Sequence, residues 1–319
     1  MGARNSLPSA LGPTFAVRDA LAAGVGAGRL RGADLERPFH GIRARARAVA
    51  SEDPWGMRRA EIRWLATALA PRLRRDQFFS HETAAAIWGA PLYGDGPIEL
   101  HVSVMGRGAV ARRSGVRGHR AHPDSARIRT VRGLPVASFA TMWAMLGADL
   151  TRDQLVAVGD FGCRVWRDGV NRPDPGREPL TTREQLAAAM NASRRHGVAR
   201  LREAHPLIRT DAWSPRESAT RLILVAGGLP EPELNRDIFD AFGGFLACVD
   251  MSYPEFKVAI EYQGQLHGQQ YARDIERIER LRADGWIVIQ VTADTIRYPN
   301  VVVRRVREAL LTRGWRPTS

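Results

Sequence analysis

Two short apolar runs near the end of the chain constrain its fold more than any other feature of the sequence. Residues 256–262 (FKVAIEY) and 286–292 (WIVIQVT) have the length and the β-branched content of buried strands. The charged stretch between them predicts a helix from about 270 to 284, which Gly285 ends. This part of the chain is therefore predicted to be an α/β domain.

Further signals complete the order of elements in residues 206–319. Ser214 opens a helix that Gly227 ends. Two more strands and a terminal helix are expected at 233–239, 245–251 and 301–311. The predicted order is α-β-β-β-α-β-α.

Two carboxylates stand in these strands. Asp250 comes at the end of the run 245–251, and Glu261 lies within 256–262. By the two-residue period of a strand, Glu261 shares a face with Lys257 and Gln263, whereas the opposite face is apolar. A carboxylate in so apolar a strand is unfavourable unless something compensates its charge. A hard divalent cation such as Mg²⁺, which prefers oxygen ligands, is the natural compensation.

Asp250, followed after ten residues by Glu261-X-Gln263, resembles the PD-(D/E)XK nuclease signature. The text VAIEYQGQLH and RDIERIERLRADGWIVIQVT is similar to the domain-of-unknown-function group 559, which is related to the very-short-patch mismatch repair endonucleases. The resemblance covers about 206–312 and implies Mg²⁺-dependent (or Mn²⁺-dependent) cleavage of DNA by a restriction-endonuclease-like domain.

The resemblance also implies a role for each residue of the site. Asp250 and Glu261, with the carbonyl of Tyr262, would hold the metal ion. Glu217 matches the acidic residue of the preceding helix, and His267 matches a histidine that would act as general base or acid. A metal-bound water would attack the phosphate.

The sequence departs from this pattern at one position and leaves alternatives at others. The third motif position is normally Lys, and here it is Gln263, so loss of catalysis with retention of the fold is an alternative. Glu217 also completes a capping box with Ser214, Asp250 could initiate the following turn, and His267 could be an ordinary loop histidine.

Net charge points to a polyanionic partner. The chain has 47 basic and 34 acidic residues, and the whole excess of 13 lies in residues 1–205, because 206–319 is neutral. A GC-rich genome would also enrich arginine. On the helix at 270–284, Arg273 and Arg277 could contact a DNA backbone, although the neighbouring acidic residues equally favour a salt-bridged surface.

The beginning of the chain predicts a small DNA-binding segment. A helix near 17–21, a glycine turn, a second helix over 27–34 and a basic strand from 39 together match a small winged helix-turn-helix. The pattern Ala22-Ala23-Gly24-Val25 … Arg37-Pro38-Phe39-His40-Gly41 resembles the winged-helix segment of proteins of the abortive-infection antitoxin type. The alternative is a helical hairpin with solvated arginines. The candidate DNA contacts here are Arg29, Arg31, Arg43, Arg45 and Arg47.

The three predicted regions are thus a winged-helix-like segment (1–50), a basic α+β region (51–205) and the nuclease-like domain (206–319). In the middle region, His119 and His122 lie among arginines with no nearby cysteine or carboxylate cluster, so a solvated basic loop is favoured over a metal pair. His81-Glu82 lacks the second histidine of a zinc-protease motif.

Composition bounds the remaining possibilities. Cys163 and Cys248 cannot form a disulfide framework, and the sequence lacks a membrane-length apolar run and a signal-peptide pattern. A cytoplasmic DNA endonuclease is therefore the leading hypothesis. The alternatives are an inactive DNA-binding regulator or antitoxin-like protein that keeps a nuclease fold, and a nuclease that acts on RNA.

Overall fold

The computed structural model of the chain describes residues 6–45, 54–170, 172–263 and 269–317, with the backbone alone at 54–55 and 269–273. It shows a mixed α/β protein with three β-sheets in the described ranges. The chain forms two compact units. One comprises Met1–Leu150 with Glu184–Val198, and the other comprises Thr151–Arg183 with Ala199–Ser319.

The first unit begins with a three-stranded antiparallel sheet in the order β1-β3-β2. Its strands are β1 (Thr14–Ala16), β2 (Leu35–Glu36) and β3 (Ile42–Arg45). The predicted first helix is α1 (Val17–Ala22). The predicted second helix over 27–34 is only a single 3-10 turn, Arg29–Arg31. Gly28 and Gly32 flank that turn, and two glycines in so short a segment disfavour an α-helix.

A mixed five-stranded sheet forms most of the first unit, in the order β6-β5-β4-β8-β7. Its strands are β4 (Gln77–Phe79), β5 (Leu100–Met105), β6 (Val116–Ala121), β7 (Ile128–Val131) and β8 (Leu134–Ala137). The accompanying helices are α2 (Pro54–Leu69), α3 (His81–Trp88) and α4 (Phe139–Met145). Two more helices follow along the chain, α5 (Arg152–Cys163) in the second unit and α6 (Arg183–Asn191). The predicted mixture of helices and strands in this region is confirmed.

The second unit carries the predicted α-β-β-β-α-β-α order, which is confirmed element by element. After α7 (Val198–Ala204), the elements are α8 (Pro215–Ala226), β9 (Glu233–Phe239), β10 (Phe245–Tyr253), β11 (Val258–Gln263), α9 (Gln269–Ala283), β12 (Ile287–Thr292) and α10 (Pro299–Thr312). The sheet has the order β12-β11-β10-β9, with β11 and β12 parallel and the other neighbours antiparallel.

Helices cover both faces of this sheet. Val258 and Ile260 of β11 pack with Leu224 of α8 and Val306 of α10. Ala259, on the opposite face of the same strand, lies in a second cluster with Leu281 of α9. Because side chains alternate along β11, its even-numbered positions face α8 and α10, and its odd-numbered positions face α9.

An ion pair between buried side chains ties α5 to α8. Arg221 and Asp160 are each 1% exposed, and Arg221 Nη2 lies 3.2 Å from Asp160 Oδ2. Ser218 Oγ donates to the same carboxylate oxygen, and the backbone N–H of Arg209 donates to the other.

Among the described helices, none is long and apolar enough to cross a membrane.

Removing the Arg221 side chain should strongly destabilise the second unit. Arg221→Met leaves the Asp160 carboxylate buried without its cation, which costs about 3–5 kcal/mol in the free energy of unfolding. Arg282→Met removes an exposed arginine from its pair with Glu279 and should cost less than about 1 kcal/mol. Urea unfolding measures both. Equal costs for the two variants would contradict the structural role of the buried pair.

Candidate functional site

Two neighbouring strands and one helix bring three carboxylates into one electrostatic environment. Asp250 lies in β10 and Glu261 in β11, each one position beyond the paired residues Met251 and Ile260. The sequence placed Asp250 at a strand end, and this was wrong. Pairing continues to Tyr253, so Asp250 lies inside its strand and next to the position of Glu261.

Asp250 is held by the backbone of the neighbouring strand. Its Oδ2 accepts a hydrogen bond of 2.7 Å from the backbone N–H of Tyr262. The side chain therefore spans from β10 to β11, and the alternative in which Asp250 only initiates a turn does not describe its contacts. Burial raises the pKa of Asp250, which the bond from Tyr262 and the charge of Arg277 oppose.

Glu261 is 2% exposed and pairs with an arginine of α9. Arg277 Nη1 donates to Glu261 Oε1 at 2.6 Å, and the same guanidinium bonds Asp274 and the carbonyl of Cys248. Burial, with the nearby charge of Asp250, raises the pKa of Glu261 to about 8, although Arg277 opposes this shift. Arg277 thus serves as the counter-ion of the site, and its guanidinium does not point into solvent as a DNA contact would.

Glu217 closes the group from the first turn of α8. Its backbone N–H donates to Ser214 Oγ, which is one of the two hydrogen bonds of the predicted capping box. The carboxylate Oε2 accepts from the backbone N–H of Trp213 at 2.9 Å and from Asn235 Nδ2 at 2.7 Å. Burial, followed by the charge of Asp250, raises the pKa of Glu217. The residue therefore belongs both to the cap and to the electrostatics of the site.

The remaining candidates for this site are only partly placed. Gln263 is the last residue of β11 and is half-buried. Lys257, which shares the strand face in the sequence pattern, donates from Nζ to Asp284 Oδ2 at 3.0 Å and so does not replace the missing motif lysine. His267 and the side chain of Arg273 lie outside the described residues.

The candidate DNA contacts in the first unit fall into two groups. Arg29 pairs with Asp34 through two hydrogen bonds, and Arg43 Nε donates to the carbonyl of Leu30. Arg31 and Arg45 are exposed, and neither forms an ion pair with another residue that the structure describes. Arg47 lies outside the described residues. Two exposed arginines of the predicted set thus remain as candidate contacts.

A basic cleft in the first unit adds exposed positive charge that the sequence did not single out. The cleft has a volume of about 310 Å³ and opens between the 3-10 turn Ala70–Arg72, which follows α2, and the segment before β6. Arg72, Arg112 and Arg113 line it and are exposed. Arginines from two distant segments thus face one cavity, which a linear charge count cannot reveal.

The first unit also brings together three histidines, and this corrects the sequence interpretation of His119. The sequence pairs His119 with His122 in a solvated loop. The structure places His119 in β6 beside His81 and His101, with one ligand atom from each within 4.8 Å of the others. Across the described ranges, no other group of three His, Cys, Asp or Glu side chains meets this distance criterion. The group of Glu217, Asp250 and Glu261 does not meet it either. Sequence distance hid this cluster, because it depends on the pairing of β5 with β6.

Comparison with known proteins gives one partial relationship. The sequence matches no model of a known protein family. An uncharacterized protein from each of two strains of Mycobacterium tuberculosis is 33% identical to it over 106 residues. The match covers 32% of this chain and 39% of those relatives, so it spans well under half the length of either.

The pKa of Glu261 predicts how stability depends on pH. The folded protein binds a proton at Glu261 up to about pH 8, whereas the unfolded chain releases it near its ordinary value of 4.5. Between these values the folded state binds more protons, so this group lowers stability as pH rises from about 4.5 to about 8.

Glu261→Gln removes this titration. Urea unfolding between pH 5 and pH 8 should therefore show a smaller loss of stability with rising pH in the variant than in the wild type. The exposed Glu255→Gln variant, in the neighbouring turn, should follow the wild type. Identical pH profiles for wild type and Glu261→Gln would show that Glu261 is not held protonated by its surroundings.

Proposed function

We propose that the chain is a metal-dependent endonuclease that hydrolyses DNA at the carboxylates of the second unit. The observation that carries the proposal is the burial of Glu217, Asp250 and Glu261 in one electrostatic environment, in which the charge of Asp250 acts on both glutamates and Arg277 is the cation near Asp250 and Glu261. Carboxylates whose pKa values are raised by burial and mutual repulsion occur at functional sites more often than elsewhere.

The order of elements supports the same proposal. Asp250 and Glu261 lie on adjacent antiparallel strands, followed by a helix and a parallel strand. This is the arrangement that the resemblance to PD-(D/E)XK nucleases implies. The resemblance to the very-short-patch repair relatives rests on the sequence, and the topology is compatible with it.

The donor set fits a hard divalent cation. One oxygen of Asp250 binds the Tyr262 N–H and one oxygen of Glu261 binds Arg277, which leaves a second oxygen on each carboxylate. Two carboxylate oxygens, with the Tyr262 carbonyl, are ligands of the type that Mg²⁺ and Mn²⁺ prefer. When bound, the ion would polarise the phosphate and lower the pKa of a coordinated water.

We assign the remaining steps of the hydrolysis to side chains of the protein. In the hydrolysis, a water oxygen attacks phosphorus, one phosphorus–oxygen bond of the backbone breaks, and the leaving sugar oxygen takes a proton. Glu217, with its raised pKa, can exchange a proton near neutral pH. Gln263 can donate a hydrogen bond to water or phosphate but supplies no charge. His267 keeps the acid or base role that the resemblance implies.

Substrate capture is assigned to the first unit. The charge excess of 13 lies in residues 1–205, and the exposed arginines 31, 45, 72, 112 and 113 supply phosphate contacts there. Residues 206–319, which are neutral and carry the carboxylates, would then receive DNA that the first unit holds. The winged-helix assignment of the N-terminal sheet belongs to this proposal, with its recognition element reduced to the turn Arg29–Arg31.

The second candidate function is a DNA-binding regulator, or antitoxin-like protein, whose nuclease fold is inactive. Two observations favour it. Gln263 replaces the charged residue of the motif, and Arg277 already neutralises Glu261. In that state the arginine would substitute permanently for a metal ion.

A cleavage assay separates the two functions. The full chain, with double-stranded DNA and Mg²⁺ or Mn²⁺, should cleave the duplex, and Asp250→Asn or Glu261→Gln should lower the rate at least about 100-fold, since even outer-shell changes cost 10–100-fold. Glu255→Gln makes the same chemical change at an exposed carboxylate in the turn between β10 and β11, and this variant should cleave as wild type. Absence of cleavage by a wild-type protein that still binds DNA would favour the regulator, and cleavage of RNA alone would redirect the substrate assignment.

The capture step has its own test in the salt dependence of DNA binding. Replacing Arg31 and Arg45 by Ala should weaken binding to a DNA duplex and reduce the slope of log K against log salt by about 1.8, because each phosphate contact contributes about 0.9. Arg304→Ala with Arg305→Ala removes the same charge from exposed positions of α10. Fluorescence anisotropy between about 50 and 200 mM salt measures both slopes. Equal effects of the two double variants would contradict capture by the N-terminal segment.

A further inference from the structure

Three histidines from separate elements of the first unit share one small space. His81 is the first residue of α3, His101 lies in β5 and His119 in the neighbouring parallel strand β6. A ligand atom from each ring lies within 4.8 Å of the other two. We propose that this cluster is a second metal site, independent of the carboxylates, which binds a divalent transition metal and fits Zn²⁺ in particular.

The distances suit a tetrahedral zinc ion. Bonds of 2.0–2.1 Å from zinc to imidazole nitrogen place two ligands about 3.3 Å apart. His101 Nδ1 and His119 Nε2 are already 3.1 Å apart. The third nitrogen, at no more than 4.8 Å, needs a movement of about 1.5 Å at most to complete the set. Metal binding would replace the hydrogen bond between His101 and His119, because both nitrogens must then be unprotonated.

The rings are held in the protonation state that binds metals. Burial lowers the pKa of His81 to about 2 and that of His101 to about 4, and the neighbouring histidines and Arg117 act in the same direction. The pKa of His119 is also lowered, mainly by burial. Neutral imidazoles have free lone pairs, so a cation need not displace protons to bind them.

A serine orients the first ligand. Ser80 occupies the N-cap position of α3, yet its hydroxyl does not cap the helix. Instead, Ser80 Oγ lies 3.0 Å from His81 Nδ1 and accepts a hydrogen bond of 2.8 Å from Ser103 Oγ. This leaves Nε2 of His81 for the metal and provides the outer-shell partner that ligating histidines use. His81 has a φ of +47°, a left-handed conformation that is uncommon for a residue with a side chain.

The chemistry of the cluster differs from that of the carboxylate site. Imidazole nitrogens suit zinc and similar transition metals, whereas Mg²⁺ and Mn²⁺ prefer oxygen. Three neutral ligands leave the ion with its full charge, and Arg117 and Arg195 add positive charge nearby. The fourth coordination position should therefore hold water, hydroxide or a small anion, the arrangement of zinc sites that keep one position open.

Titration of the untagged full chain tests the proposal. The protein, freed of metal by a chelator, carries Asp250→Asn and Glu261→Gln to remove the carboxylate site and is titrated with Zn²⁺ by calorimetry. One equivalent should bind, and Co²⁺ should give the strong visible absorption of a four-coordinate ion. His119→Ala should weaken binding at least about 100-fold, because the loss of an outer-shell partner alone costs 10–100-fold.

His122→Ala is the matched control. His122 is exposed, lies three residues from His119 and pairs with Asp124, so its loss should leave Zn²⁺ binding unchanged. Unchanged binding in a folded His119→Ala variant would overturn the proposal. If that variant does not fold, X-ray absorption at the zinc edge of the protein with intact histidines decides. Three imidazole ligands support the site, and two or fewer overturn it.

Discussion

The second unit is organised around one physical requirement, the neutralisation of Glu261 inside a four-stranded sheet that helices cover on both faces. A carboxylate that is 2% exposed has lost its hydration, and a cation, hydrogen-bond donors or a bound proton must offset that loss. Arg277 meets this requirement because α9 packs on the β11 face that carries Ala259 and Glu261. The hydrophobic packing of α9 and the ion pair between Arg277 and Glu261 therefore stabilise each other, because both hold α9 against the same face of the sheet.

The same constraint extends to the other acidic residues. Asp250 accepts a hydrogen bond from the backbone N–H of Tyr262, the residue after Glu261. The charge of Asp250 also raises the pKa of Glu217, which lies in the first turn of α8. Asp274 shares Arg277 with Glu261. Three acidic side chains, Glu261, Asp274 and Asp250, thus act on one arginine, and Glu217 adds negative charge beside Asp250. That excess of negative potential is the physical basis for proposing a divalent cation there. In the proposed regulator, Arg277 alone would neutralise this site. In the proposed nuclease, a metal ion would do so.

The sequence predicted the elements of this unit well because their signals are local. Alternation in 256–262, the cap at Ser214 and the stop at Gly285 depend on neighbouring residues, and each is confirmed. The role of Arg277 was not predictable, since an arginine among Asp274, Glu276 and Glu279 looks like part of a solvated surface until the packing of α9 is known. The predicted helix over 27–34 was too long, because Gly28 and Gly32 disfavour an α-helix in so short a segment.

The histidine cluster shows the same limit in the first unit. His81, His101 and His119 are about twenty residues apart, and only the pairing of β5 with β6 and the position of α3 bring them together. A spacing rule for metal ligands searches short intervals and therefore paired His119 with His122. Ser80 could have given a clue, since an N-cap serine directly before a histidine can bond the ring in place of the helix.

The most direct test of the central claim is a crystal structure of the full chain grown with Mn²⁺, with anomalous diffraction to locate the ion. The account predicts an anomalous peak that contacts oxygens of both Asp250 and Glu261, with Arg277 displaced from Glu261 Oε1. The absence of a peak there, with Arg277 still bound to Glu261, would contradict it and leave the carboxylates as a structural ion-pair network.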